Sequence, residues 1–306
     1  MGWSVEDVPD QTGRRIVITG ANSGIGFEAA SVLAREGARV VMACRSLDRG
    51  EAAAEEIREA AGDVDLAVRR LDLADLESVR SFPNRLAPDD RPIDVLVNNA
   101  GIMGIPRHET DEGFEQQFGV NHLGHFALTG VLCSDLADKA RVVTVSSGMH
   151  ERGEIDFEDL HGEKSYGKWD AYAQSKLANL LFAYELDRRA EDADTSITSV
   201  GVHPGYADTS LQSRGPELAG SPVRKAMMRV ANAIFAQPAA DGALPTLYAA
   251  TAPDVEGGEY YGPGGLLNMR GPPERQQSSE RSYDRETARR LWELSEELTG
   301  VQFDLE

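Results

Sequence analysis

An α/β fold, in which strands alternate with helices and the sheet is mainly parallel, is what this chain of 306 residues predicts. Three observations carry the prediction. Short runs rich in valine and isoleucine recur at residues 15–19, 38–43, 66–71, 93–97, 141–145, 197–202 and near 259–261. Helical stretches separate them, at 27–36, 47–61, 76–86, 112–136, 169–189 and 239–250, with a charged helix at 283–298. A glycine-rich turn follows the first strand directly. No repeat or linker divides the chain, so residues 1–306 read as a single domain.

Composition narrows the function. A hydrophobic fraction of 41% supports a real core, and 51 acidic against 31 basic residues give a net charge of −20. Such a surface repels the phosphates of nucleic acids and anionic lipid headgroups, which argues against both as general partners. Only five basic residues are lysine: Lys139, Lys164, Lys168, Lys176 and Lys225. This acid-rich, lysine-poor balance is similar to that of proteins from salt-loving archaea; a genome favouring arginine codons is the plainer reading. No apolar run approaches the roughly 20 residues of a membrane-spanning helix, and residues 1–12 are polar and acidic, so a soluble cytoplasmic protein is expected. Cys44 and Cys133 stand in apolar surroundings without a C-x-x-C pair and read as reduced core residues.

The turn after the first strand is Gly20-Ala21-Asn22-Ser23-Gly24-Ile25-Gly26, and a helical segment follows it. Glycines there let the backbone approach a pyrophosphate, and the helix N-terminus offers it free N–H groups and a positive dipole end. With Thr19 in front, the spacing T-G-x-x-x-G-I-G resembles the signature of the short-chain dehydrogenase/reductase family. The second strand ends in Cys44-Arg45-Ser46. In dinucleotide folds an acidic residue at this strand end binds the ribose 2′-hydroxyl, whereas an arginine accommodates a 2′-phosphate. Cys44 fills the acidic position and Arg45 follows it, so NADP(H) is expected over NAD(H), with an Arg45–Asp48 surface pair as the plain alternative. The resemblance further implies that Asp72 and Leu73 contact the adenine, and that Asn98-Asn99-Ala100-Gly101 lines the cofactor cleft. Asp72 also reads as a cap for the helix at 76–86.

The segment Tyr172-Ala173-Gln174-Ser175-Lys176 carries the chemistry. On a helix, positions i and i+4 share a face, and an ammonium beside a phenol pulls its pKa down toward the working pH. By resemblance Tyr172 is the acid–base residue, Lys176 also holds the nicotinamide ribose, and Ser147 is catalytic while Ser146 is structural or lines the site. Asn121, in the same resemblance, holds a water linked to Lys176. His122 and His125 lack the carboxylate of a pattern such as H-E-x-x-H and read as packed rings, so no metal is expected. Pro204 and Gly205 are similar to the family's nicotinamide-side turn, with Ala207 and Thr209 near the carboxamide and phosphates.

Ser147 and Tyr172 are 25 positions apart, an insertion that resembles the retinol dehydrogenase-like branch, as do Ala43-Cys44-Arg45 and the run Asn121 to Phe126. The family implies a Rossmann-type, doubly wound sheet of seven strands with helices on both faces. It covers about 14–262, leaving 263–306 as an unassigned extension. Residues 206–238, with apolar Val223, Met227, Met228, Val230, Ile234 and Phe235, read as a substrate lid or as an ordinary packed helix. Together these imply an NADP(H)-dependent oxidoreductase acting on a carbonyl or alcohol, with a lipophilic substrate. Members commonly pair through helices corresponding to 112–136 and 171–190, which implies a homo-oligomer. A non-catalytic cofactor-binding sensor or scaffold is the alternative; its expected trace is a broken tetrad, whereas Asn121, Ser147, Tyr172 and Lys176 are all present.

Overall fold

The computed structural model describes residues 2–87, 89–205, 239–265 and 268–305; the segment expected to form a lid, together with Ala207 and Thr209, lies outside the described residues. The first half alternates β1 (Arg15–Thr19), α1 (Gly24–Arg35), β2 (Arg39–Cys44), α2 (Leu47–Ala61), β3 (Leu66–Arg70), α3 (Leu76–Arg80), α4 (Phe82–Leu86) and β4 (Ile93–Asn98). The second half contains α5 (Gln116–Phe118), a π-helical turn (Gly119–Leu123), α6 (Gly124–Val131), β5 (Leu136–Val145), α7 (Lys168–Asp192) and β6 (Thr198–Val202). It closes with α8 (Ala239–Thr251), β7 (Tyr260–Pro263), β8 (Pro273–Gln276) and α9 (Arg285–Thr299).

The strands form one sheet in the order β3-β2-β1-β4-β5-β6-β7-β8. All pairs are parallel except the last. The chain winds outward from β1 to β3, then crosses to β4 on the other side of β1. The loops leaving β1 and β4 therefore diverge, and a crevice opens at the carboxyl ends of the strands. Burial on both faces explains why β1 is an unbroken apolar run: Ile16 and Ile18 join the core under α1, α2 and α8, while Val17 joins the opposite core under α3, α6 and α7.

Four expectations are corrected. Among the described residues the sheet has eight strands, not seven, because the C-terminal extension adds β8 antiparallel along β7. The helix expected over 112–136 runs only over 116–131, with a π-helical turn inside it, and Leu136 already pairs with Ile93 in the sheet. The helix at 76–86 is two short helices, and its cap is Asp75, which accepts from the Ser78 N–H at 3.0 Å. Asp72 instead accepts from the Ala74 N–H.

The extension is integral to the core. Trp292 of α9 lies edge-on to Phe126 of α6 at 5.0 Å and stacks on Phe182 of α7 at 5.7 Å, and the Arg189 guanidinium covers its indole at 4.5 Å. Helix α9 thus occupies part of the α6 and α7 surface through which pairing was expected. Among the described residues no helix is long and apolar enough to cross a membrane. Trp292→Ala should lower the unfolding free energy by about 3–5 kcal/mol, read from the denaturant midpoint; a loss typical of a surface site would show the extension to be peripheral.

Candidate active site

The glycine turn takes the shape its composition requires. A Cβ on Gly26 would sit 2.5 Å from the Asn99 side-chain nitrogen and 2.8 Å from the Gly20 carbonyl, so no side chain fits. Helix α1 begins at Gly24 with no acidic residue in its first turn, leaving the positive end of its dipole unopposed at the crevice. Thr19 closes the floor: its hydroxyl accepts from the Asn99 and Ala100 N–H groups at 2.9 Å each, and the Asn99 amide donates to the Thr19 carbonyl at 2.7 Å.

A cleft of about 800 Å³ runs from this turn across the strand ends. Gly20, Asn22, Ser23, Gly24, Ile25 and Gly26 line one end with Arg45, Asp72 and Leu73; Asn99, Ala100 and Gly101 form the middle; Ser147, Tyr172, Lys176, Pro204 and Gly205 line the other end. Arg45 is exposed and makes no ion pair with Asp48. Arg49, in the first turn of α2, also lines the cleft, and its place just past the strand-end Arg45 could have revealed it. Cys44 faces the core, where burial pushes its thiol up to about 11.

At the far end α7 presents Tyr172 and Lys176, with the ammonium 5.8 Å from the phenol ring centre and donating to the Val145 carbonyl at 3.0 Å. Ser146 donates to the Lys176 carbonyl at 2.7 Å, so it both lines the cleft and ties β5 to α7. Ser147 caps a single turn by accepting from the Met149 N–H. Asn121 is not on the wall but behind it. Its amide donates to the Ile102 carbonyl and the Ser175 hydroxyl at 2.9 Å each, and its side-chain oxygen accepts from the Ile102 N–H at 2.8 Å. A Cβ on Gly101 would stand 3.2 Å from that oxygen and 3.6 Å from Lys176 Nζ, so glycine leaves the space between them open.

Electrostatics differ from the expectation in one respect. Burial pushes the Tyr172 phenol up to about 12, against the hydrogen bond from Ser147, and it pushes Lys176 down to about 8. Desolvation raises the one and lowers the other, so at pH 7 a neutral phenol stands beside an ammonium.

Several lining residues carried no sequence signal. Trp169, 43% exposed, stands edge-on to Tyr172 at 6.4 Å between ring centres. Met103 and Met149 line the same end, and Gln276 and Gln277 reach it from the extension. His150 accepts from the Ser279 N–H at 3.1 Å, so its Nδ1 carries the proton donated to the Ser147 carbonyl at 2.7 Å. The extension thereby holds the Ser147 turn. His122 and His125 are buried in packing, and among the described residues no group of three or more His, Cys, Asp or Glu is placed to hold a metal ion.

A dinucleotide cradle at the point where the strand order reverses, with a tyrosine and a lysine one turn apart on the facing helix, defines a dinucleotide-dependent oxidoreductase. The chain belongs to the short chain dehydrogenase family, whose model matches residues 14–217. It acts on alcohol and carbonyl groups with a nicotinamide cofactor, and it lies in the retinol dehydrogenase-like branch. It is 41% identical over 303 residues to retinol dehydrogenase 14 of Mus musculus, covering 94% of this chain and 86% of that one. To retinol dehydrogenase 12 of Homo sapiens it is 40% identical over 296 residues, covering 95% and 88%. A solved structure of an uncharacterized protein from Mycobacterium Paratuberculosis is 43% identical with a TM-score of 0.82, covering 99% of this chain and 100% of that one. A short chain dehydrogenase from Shigella flexneri 2a str. 301, complexed with NADP, shares the fold at 23% identity and a TM-score of 0.61, covering 82% and 97%.

Burial holds His122 at about 3, and His125 and His203 at about 4, below the ordinary 6.5. Between those values and 6.5 the unfolded chain binds protons that the native chain does not, so stability is full above pH 6.5 and falls as pH drops. Unfolding free energy at pH 5 should therefore be lower than at pH 7, by up to about 1.4 kcal/mol per histidine per pH unit below 6.5. A flat profile over this window would mean that these rings open to water.

Proposed function

We propose that this protein is an NADP(H)-dependent oxidoreductase that interconverts a lipophilic carbonyl compound and its alcohol, with residues 1–306 acting as a single domain. One observation carries the reading: Ser147, Tyr172 and Lys176 meet at one end of a cleft whose other end is the glycine turn and Arg45. The residues fit a dinucleotide on their own chemistry. Gly26 lets α1 begin hard against the Gly20 carbonyl and Asn99 beside the cleft, the acid-free start of α1 favours negative charge, and Arg45 with Arg49 offers two guanidinium groups to a 2′-phosphate. When bound, the nicotinamide supplies or accepts the hydride.

The chain's own residues do the rest. Tyr172 gives its proton to the carbonyl oxygen as the alcohol forms, or takes it back in the reverse direction, and Ser147 donates a hydrogen bond to that oxygen as charge develops. Lys176, cationic at pH 7, favours the transient phenolate and binds the cofactor ribose. Asn121 fixes the loop at Ile102 and the Ser175 end of α7, and it positions a water for Lys176. Trp169, Met103 and Met149 present apolar surface beside Tyr172, and this supports a lipophilic substrate.

Oxidation of NADPH followed at its nicotinamide absorbance across a panel of aldehydes and ketones tests the reading. Tyr172→Phe should lower kcat by about 10²–10⁴-fold while NADPH still binds; turnover at the wild-type rate would refute the assignment and favour a cofactor-binding scaffold. Arg45→Ala should raise the KM for NADPH about tenfold, as expected for one solvent-screened charge-assisted contact, and leave the KM for NADH unchanged. Equal effects on both cofactors would remove the basis for NADP(H).

A further inference from the structure

Behind the cleft, His125 makes two side-chain hydrogen bonds that join the cofactor end of the site to its proton-transfer end. Its Nδ1 lies 3.0 Å from the Asn121 carbonyl and its Nε2 lies 2.9 Å from the Thr19 hydroxyl. A carbonyl only accepts, so Nδ1 carries the proton and Nε2 must accept. The Thr19 oxygen, which already accepts from the Asn99 and Ala100 N–H groups, then directs its single proton at Nε2, at 2.9 Å, rather than at the Val97 carbonyl, at 3.3 Å. Every polar atom in this chain of contacts is matched with a partner of the right kind.

The place where this chain ends is a distorted one. Asn121 sits inside the π-helical turn, whose closing bond runs from the Gly124 N–H to the Gly119 carbonyl. Single π-helical turns within α-helices are rare and cluster at functional sites. Asn121 has spent both amide hydrogens on Ile102 and Ser175, so its side chain is fixed between the cleft loop and α7, and its main-chain carbonyl faces His125.

We infer that His125 is a positioning residue of the reaction: as the Nδ1-protonated imidazole it aims the Asn121 carbonyl and ties it through Thr19 to the floor of the cofactor cleft. The inference rests on the oxidoreductase reading above. Only this tautomer serves, because the Nε2-protonated ring turns a donor toward a hydroxyl whose lone pairs are taken. An imidazolium does the same and adds a second cation near Lys176. The titratable groups acting on the ring are Lys176 of α7 and His122 in the preceding turn, and neither supplies a negative charge to favour protonation.

Two measurements test this. In the full chain labelled with nitrogen-15 histidine, the His125 ring should show Nδ1 protonated and Nε2 bare, unchanged across the pH 5–8 range in which an ordinary histidine titrates. A ring protonated on Nε2, or one that titrates in that range, overturns the inference. This measurement uses the unaltered protein and no substrate, so it decides the matter even if a variant fails to fold, and separately from Tyr172→Phe, which decides the reaction. Second, in His125→Phe and His125→Gln proteins of native circular dichroism, kcat should fall on the order of 10²-fold, the cost of roughly 1 Å of misplacement, with the Kd for NADPH within about threefold of wild type. An undiminished kcat, or a loss in NADPH affinity equal to the loss in kcat, overturns it.

Discussion

The Thr19 hydroxyl, at the end of β1, is the contact on which the rest of the site depends. It gathers the main-chain N–H groups of Asn99 and Ala100 from the end of β4, and so fixes the separation of the two strands where their loops part. The crevice exists because those loops diverge, and its width is set by these hydrogen bonds rather than by side-chain bulk. With the floor fixed, the glycine turn can keep its tight approach at Gly26, and Gly101 can leave its gap between Asn121 and Lys176. An oxygen atom with two lone pairs and one proton, all in use, defines its surroundings more narrowly than an apolar contact of the same size.

A second constraint is the dryness of the far end. Tyr172 and Lys176 are almost fully buried, and each is pushed toward its neutral form. The phenol therefore holds its proton firmly, whereas the ammonium gives its proton up more readily than a lysine in water. Catalysis needs the phenolate only transiently, when charge appears on the substrate oxygen, and a low-dielectric site strengthens every interaction made at that moment. The acidic surface plays no part in this, since the charges that matter lie within a few residues of α7.

Much of this was legible in the sequence because it is local. The glycine turn lies within eight consecutive residues and Tyr172 to Lys176 within five, so spacing alone conveys their geometry. What escaped reading is long-range. The His150–Ser279 bond joins residues 129 positions apart, and nothing in either sequence neighbourhood announces it. The end of the helix expected over 112–136 is not legible because β5 opens with half-buried Leu136 and Ala137 and exposed Asp138 and Lys139, which carry no strand period, and only the pairing of Leu136 with Ile93 places them in the sheet. The direction of the Tyr172 shift is not legible either: spacing reports a lysine nearby, whereas depth of burial depends on the whole fold. The eighth strand fell beyond the family's span and had no pattern of its own.

The antiparallel β8 has a consequence for the order in which the protein becomes functional. Synthesis proceeds from the N-terminus, and β1 to β6 with their helices include the whole glycine turn and both Tyr172 and Lys176. Gln276, Gln277 and the Ser279 tether arrive only with the last tenth of the chain. A nascent chain can thus assemble the nucleotide half of its site while the ribosome still holds the segment that steadies Ser147. The Ser147 turn gains its tether only once Ser279 has been added, so a shorter chain can carry the glycine turn and Tyr172 without it.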